Sequence, residues 1–75
     1  MRDRVKHVVA RVLEVDPSEI ADDAATEQFA AWDSLRQLEL VLELEAEFGV
    51  RVSSDTITEL TSVPKIEEYL AQSAA

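Results

Sequence analysis

Apolar residues recur at helical spacing between Ser34 and Gly49. At about 100° per residue, one side of such a helix is typical of a core face. That side holds Leu40, Val41, Leu44 and Phe48. The opposite side holds Leu35, Leu38, Leu42 and Ala46. The segment is therefore predicted to form a helix of about four turns with two apolar faces, of which a small bundle needs to bury only one.

Helix boundary signals stand at both ends of this segment. Asp33 or Ser34 can cap the free N–H groups at its start, and Gln37 would complete a capping box with Ser34. At its end, Gly49 is the chain's only glycine and suits the left-handed position that follows a helix.

The acidic residues of this helix are badly placed for its own dipole. Glu43, Glu45 and Glu47 lie in the C-terminal half, where negative charge costs about 0.3–1 kcal/mol per group. A helix selected for stability alone would carry lysine there. We therefore expect a basic partner protein to bind this helix.

Three further helices are predicted around the central one. Residues 2–14 read as an amphipathic helix whose core face holds Val5, Val8, Val9, Val12 and Leu13. Residues 53–55 cap a short helix that runs to about Leu60, with Ile57 and Leu60 turned inward. Thr61 and Ser62 cap a last helix, in which Glu67 and Glu68 stay in solvent and residues 72–75 fray. Its buried face holds Val63, Ile66, Tyr69 and Leu70.

A long connection joins the first helix to the central one. Residues 16–19 stop the first helix and allow one short turn of another, with Pro17 at its first position. Because so long a connection is uncommon unless it packs down or has a function, we expect an ordered crossover held by Ile20 and Phe29. The predicted fold is an all-α, small four-helix bundle, with three longer helices, one short helix and a long ordered loop between helices 1 and 2.

The length, the net charge and the lack of cysteine exclude several classes of function. The 75 residues make a single domain, residues 1–75, and the 7 basic and 16 acidic residues give a net charge of −9. This charge repels nucleic acid and anionic membranes. Cysteine is absent, which excludes disulfides, thiolate metal sites and a cysteine nucleophile. With no long apolar segment or signal peptide, a cytoplasmic protein is expected.

The residues offer little chemistry of their own. His7 is the only histidine, so it has no partner for a metal site or a catalytic constellation. Asp22 and Asp23 lack the alternating oxygen ligands and glycine of a calcium loop. Ser34 has two readings: a helix cap, or a hydroxyl exposed at a helix start for covalent modification by another enzyme.

Asp33-Ser34-Leu35 heads a helix that ends Glu-Leu-Glu-Ala-Glu-Phe-Gly-Val, and this arrangement resembles the acyl carrier proteins of fatty acid and polyketide synthesis. The resemblance covers nearly the whole chain, including the Val-Asp-Pro-Ser-Glu-Ile entry to the long loop and the last helix around Tyr69. It implies a carrier that is not itself an enzyme, with 4′-phosphopantetheine joined to Ser34 and no metal site. It also implies that Asp33 helps to position the transferase chemistry.

The resemblance also implies partners. They are a phosphopantetheinyl transferase, an acyltransferase or ligase, a ketosynthase and other tailoring enzymes, which dock through basic patches on a monomeric carrier. The implied docking residues are Leu35, Glu39, Leu42, Glu45 and Glu47. An apolar slot beneath the central helix is expected to shelter the acyl chain. Its expected lining is Val41, Leu44, Phe48, Ile57 and Leu60.

Two departures from the fatty-acid carriers favour a polyketide or other natural-product pathway. Arg36 stands where many fatty-acid carriers have an acid, and residues 29–32 read Phe-Ala-Ala-Trp. Two rival interpretations stay open. One is an aminoacyl or peptidyl carrier, and the other is an unmodified acidic helical adaptor that only docks a basic partner.

Overall fold

The computed structural model describes residues 1–73, which form four α-helices. They are α1 (Arg2–Leu13), α2 (Ser34–Phe48), α3 (Ser54–Ile57) and α4 (Val63–Ser73). Two short 3₁₀ turns, Pro17–Glu19 and Thr26–Gln28, lie in the connection between α1 and α2. The predicted all-α bundle of three longer helices and one short helix is confirmed.

The core lies where α1 packs against both α2 and α4. The predicted core residues of α1 are all buried, and so are Val63, Ile66 and Leu70 of α4. Each fully buried valine, leucine or isoleucine contributes about 1.5–3 kcal/mol. Tyr69 is half-buried, and its hydroxyl donates a hydrogen bond of 2.6 Å to the carbonyl of Arg51. The helical spacing of apolar residues therefore located the core correctly on both helices.

The connection between α1 and α2 is ordered and packs onto the bundle, as predicted. Ile20 is buried in the core, and Phe29 packs against it. Ala24, which no pattern singled out, is also buried, and its carbonyl accepts a hydrogen bond of 2.8 Å from the N–H of Val63. The N–H of Thr26 donates to the carbonyl of Thr61 at 3.0 Å. The crossover is thus joined to the start of α4 by backbone hydrogen bonds as well as by apolar contact.

Two predicted helix ends are wrong. α3 ends at Ile57 and not at Leu60. The carbonyl of Ile57 accepts a hydrogen bond from the side chain of Gln37 and not from a further turn of helix. α4 continues to Ser73, so the prediction of fraying fails for Gln72 and Ser73. Residues 74 and 75, to which that prediction also applied, lie outside the described residues.

Gly49 ends α2 in the left-handed conformation, with φ at 66°. Its N–H donates to the carbonyl of Glu45 at 2.9 Å. A methyl group at this position would meet no heavy atom within 4 Å, so substitution is opposed by backbone conformation and not by crowding.

Gly49→Ala is therefore expected to lower the free energy of unfolding by about 1–2 kcal/mol. Gly49→Asn should cost less, because asparagine tolerates the left-handed region better than alanine does. Urea unfolding of the three proteins measures both differences. Equal stability of the alanine variant and the wild type would contradict this account.

The basic residues of α1 form ion pairs with acids of α2, α4 and the crossover. Arg2 binds Glu67 of α4 at 3.0 Å. Of the two acids predicted to stay in solvent, Glu68 is exposed, whereas Glu67 is half-buried. Arg2 and Lys6 also bind Asp22 of the crossover, at 3.5 and 2.9 Å. The hydrogen bond from Lys6 and its positive charge hold the pKa of Asp22 below its ordinary value, and Arg2 adds to the effect.

The lowered pKa of Asp22 predicts how stability changes in acid. A carboxylate whose pKa is lower in the folded state stabilises the fold above its unfolded pKa, near 3.8, and this contribution disappears as pH falls through the folded value. Asp22→Asn should therefore lower the melting temperature at about pH 6, and its difference from wild type should shrink as the pH falls below 3.8. The neighbouring exposed Asp23 offers the control variant Asp23→Asn. A gap between Asp22→Asn and wild type that persists unchanged at low pH would contradict the prediction.

Candidate functional site

The start of α2 is capped by Asp33. Its backbone is extended, with φ at −98° and ψ at −171°, and its Oδ1 accepts a hydrogen bond of 2.9 Å from the N–H of Arg36. Ser34 is then the first helical residue and not the cap. The predicted capping box between Ser34 and Gln37 is wrong, because the side chain of Gln37 turns into the core.

Ser34 stands exposed at this helix start. Because Asp33 performs the capping, the Ser34 hydroxyl is not needed to hold the helix together. The N-terminal end of a 15-residue helix carries a partial positive charge, which favours a phosphate group placed there. The site therefore fits a phosphodiester on Ser34: an accessible hydroxyl, a rigid support and a favourable field.

Gln37 is the buried polar residue of this site, 8% exposed. Its Oε1 accepts a hydrogen bond of 2.7 Å from Nε1 of Trp32, itself only 4% exposed. Its Nε2 donates to the carbonyls of Ile57 at 2.7 Å and Leu60 at 2.8 Å. The sequence reasoning missed both Gln37 and Trp32 as parts of the site, although Gln37 precedes Leu40, Val41 and Leu44 by three, four and seven positions on the core face.

The second apolar face of α2 is exposed, as predicted. Leu35 is 64% exposed and Leu42 is 65% exposed, with Leu38 between them also exposed. Leu40, on the other side of the same helix, is 1% exposed. The bundle thus leaves a row of leucines uncovered, and this row begins directly beside Ser34.

The predicted docking acids all have partners within the chain. Glu39 accepts a hydrogen bond of 3.3 Å from Arg36, and Glu45 accepts one of 2.8 Å from the N–H of Val52. Glu47 binds Arg4 of α1 at 3.1 Å. Glu43, which the docking prediction did not include, binds Arg11 of α1 at 3.1 Å.

These contacts explain why acidic residues are tolerated in the C-terminal half of α2, which the sequence of α2 alone does not explain. Arg4 and Arg11 of α1 lie beside Glu47 and Glu43 and offset part of their unfavourable interaction with the helix dipole. A basic partner protein is then no longer needed to explain acids at this end. Their role in docking stays a prediction.

The five predicted slot residues lie at different depths. Val41, Leu44 and Leu60 are buried, whereas Phe48 and Ile57 are half-buried. The guanidinium of Arg4 covers the Phe48 ring at 4.6 Å from its centre. Of these five residues, Leu60 alone lines the groove of about 470 Å³ between α3 and α4, whose other lining residues are mostly polar. That groove does not suit an acyl chain, and the slot beneath α2 stays a prediction.

Residues 1–73 contain no group of three histidine or acidic side chains arranged to hold a metal ion. Over the same range, no helix combines the length and the apolar character needed to cross a membrane.

Comparison with known proteins bears directly on this site. Residues 3–70 match the family described as "Phosphopantetheine attachment site". The chain is 36% identical over 69 residues to the polyketide-8 synthase acyl carrier protein 2 of Streptomyces avermitilis, a match that covers 92% of this chain and 79% of that protein. It is 32% identical over 73 residues to the acyl carrier protein of Thermosynechococcus vestitus, covering 97% and 90% respectively.

The four-helix bundle, with Ser34 exposed at the capped start of its longest helix, fits a small carrier protein. The chain belongs to the phosphopantetheine-attachment family, with the acyl carrier proteins as its relatives. It carries acyl groups on a covalent phosphopantetheine group, and it is not an enzyme. The resemblance found in the sequence is thereby confirmed.

Proposed function

We propose that Ser34 is the residue to which phosphopantetheine is attached. The observation that supports this most directly is the division of roles at the start of α2, where Asp33 caps the helix and Ser34 is exposed. The attached group supplies a thiol that holds an acyl group as a thioester. The chain has no cysteine, so it has no thiol of its own for this purpose. Asp33 contributes by keeping the first turn in the shape that a transferase recognises.

Partner enzymes are proposed to dock on the exposed leucines of α2. Leu35 and Leu42 supply apolar contact, and Glu39 supplies charge at the edge of the same face. Glu45 and Glu47 are proposed to act through their field, because their carboxylates already bind Val52 and Arg4. Charge of this kind speeds encounter with basic surfaces more than it adds affinity. The partners proposed are a phosphopantetheinyl transferase, an acyltransferase or ligase, and a ketosynthase.

The pathway is proposed to be polyketide or related natural-product synthesis. The support is the match to a relative named as a polyketide synthase carrier, together with Arg36 and the Phe-Ala-Ala-Trp segment before the serine. We propose further that residues 1–75 work as one carrier domain in the cytoplasm. A chain without cysteine suits such a reducing compartment.

The intact mass of the protein tests the proposed function. The purified chain is incubated with coenzyme A, magnesium and a broad-specificity phosphopantetheinyl transferase. The expected result is a gain of one phosphopantetheine, which peptide mapping should locate on Ser34. No gain under conditions that modify a known carrier would contradict the proposal, and a gain on another serine would contradict the choice of residue.

A further inference from the structure

One buried side chain joins three separate parts of the fold beside Ser34. Gln37 lies on α2 and accepts a hydrogen bond from the indole of Trp32 in the crossover. It donates to the carbonyl of Ile57 at the end of α3 and to that of Leu60 in the loop that follows. Trp32 lies two positions before Ser34, and Gln37 lies three positions after it. The two side chains therefore hold the serine turn from both of its flanks.

Packing alone does not explain why a glutamine occupies position 37 on the core face of α2. Its position on the core face could be filled by leucine or methionine of similar size without burying an amide. Among residues 1–73, every buried side-chain nitrogen or oxygen has a hydrogen-bond partner, and Gln37 uses both ends of its amide to satisfy neighbours. A fully satisfied buried network of this kind favours one geometry over close alternatives.

The side chain of Gln37 acts on the serine through Trp32, because Asp33 alone separates Trp32 from Ser34 in the chain. The backbone N–H of Gln37 donates to the carbonyl of Asp33 at 2.9 Å, and the N–H of Arg36 donates to the Asp33 side chain at 2.9 Å. Asp33 is thus fixed from α2, while its neighbour Trp32 is fixed through the indole. Ser34 follows directly, so its orientation relative to α3 depends on Gln37.

We infer that Gln37 is a positioning residue for the modification of Ser34, an inference that rests on the proposed role of that serine. In the transfer, Ser34 Oγ forms a bond to phosphorus while a P–O bond in the pyrophosphate of coenzyme A breaks. Adenosine 3′,5′-bisphosphate leaves with the bonding electrons, and the serine proton passes to a base of the transferase. Gln37 touches none of these atoms. It acts by holding the hydroxyl in the orientation that the transferase meets.

Kinetics of phosphopantetheine transfer test this inference. Gln37→Met removes all three side-chain hydrogen bonds at nearly constant size. Trp32→Phe removes the indole donor together with part of a buried ring system, so it also leaves a small cavity. Each variant is expected to lower kcat by about five- to tenfold with a smaller change in KM for the carrier, because the exposed leucines of α2 are unchanged. Since both substitutions break the same link, the double variant should lose little more than Gln37→Met alone.

A control and a second readout separate positioning from general loss of stability. Ile66 is buried in α4 and takes no part in the hydrogen bonds of Gln37. Ile66→Val therefore weakens the core while these bonds remain, and it should leave kcat unchanged. Trp32 is the only tryptophan, so its indole N–H gives a single NMR resonance. That N–H should exchange slowly with D₂O in wild type and Ile66→Val, and rapidly in Gln37→Met.

The outcomes distinguish this inference from the proposed function. If wild type is modified and Gln37→Met shows the same kcat and KM, the positioning role is overturned while the proposed function stands. An equal loss of kcat in Ile66→Val would overturn it as well. A wild-type chain that gains no phosphopantetheine would overturn both.

Discussion

Ser34→Ala is expected to abolish phosphopantetheine attachment completely while the bundle stays folded. The substitution removes the one atom, Oγ, that forms the bond to phosphorus. Because Asp33 and not Ser34 caps α2, the free energy of unfolding should change by no more than about 0.5 kcal/mol, as for an ordinary surface position. Intact mass after reaction with transferase and coenzyme A measures the first effect, and urea unfolding measures the second.

Ser54 provides a matched control for this experiment. It is the first residue of α3, as Ser34 is of α2, and both are exposed. Ser54→Ala should gain one phosphopantetheine as wild type does, because α3 has four residues and presents no comparable row of leucines. Modification of Ser34→Ala, or its loss in Ser54→Ala, would show that another serine is the attachment site.

The helices that could be predicted well are those whose side chains contact a core along their whole length. In α1 and α4, apolar residues at helical spacing identified the buried face because nothing but packing determines which residues lie there. The exposed leucines of α2 could be predicted in the same way, since Leu35 and Leu42 lie opposite Leu44 on the helix. The spacing of apolar residues was sufficient to predict burial wherever burial depends only on which side of its helix a residue lies.

Gln37 could not be predicted from spacing, because its role depends on residues that are distant in sequence. A glutamine three positions after a serine at a helix start suggests a capping box, and local rules gave no reason to choose otherwise. The deciding partners are the carbonyls of Ile57 and Leu60, about twenty positions away, and the indole of Trp32. Once these groups are buried, they need a hydrogen-bond partner, and Gln37 supplies it.

The acidic residues of α2 also have partners that the local sequence could not identify, in this case partners in ion pairs. Considered on α2 alone, Glu43 and Glu47 are unfavourable for the helix dipole and suggest a basic partner protein. In the folded chain the basic residues are Arg4 and Arg11 of α1. Which arginine pairs with which acid depends on how α1 packs against α2, and this packing cannot be predicted from the sequence of either helix alone.

The second large effect is expected at the exposed face of α2, where Leu42→Ala should slow modification without weakening the fold. A leucine side chain that becomes buried against a partner contributes about 1.5–3 kcal/mol, so its loss should lower kcat/KM for the transferase by about 10- to 100-fold. Because Leu42 is already largely exposed, its truncation should change the free energy of unfolding by no more than about 0.5 kcal/mol. Initial rates at several carrier concentrations and urea unfolding measure the two quantities.

Leu40→Ala is the matched control, since it makes the same change two residues away on the opposite side of the helix. Leu40 is buried in the core, so its truncation should lower the free energy of unfolding by about 2–5 kcal/mol. Under conditions where this variant stays folded, its kcat/KM should remain close to wild type. The two variants would then distinguish the effect of a leucine on the free energy of unfolding from its effect on recognition by the transferase. A Leu42→Ala variant modified at the wild-type rate would show that the transferase does not use this face.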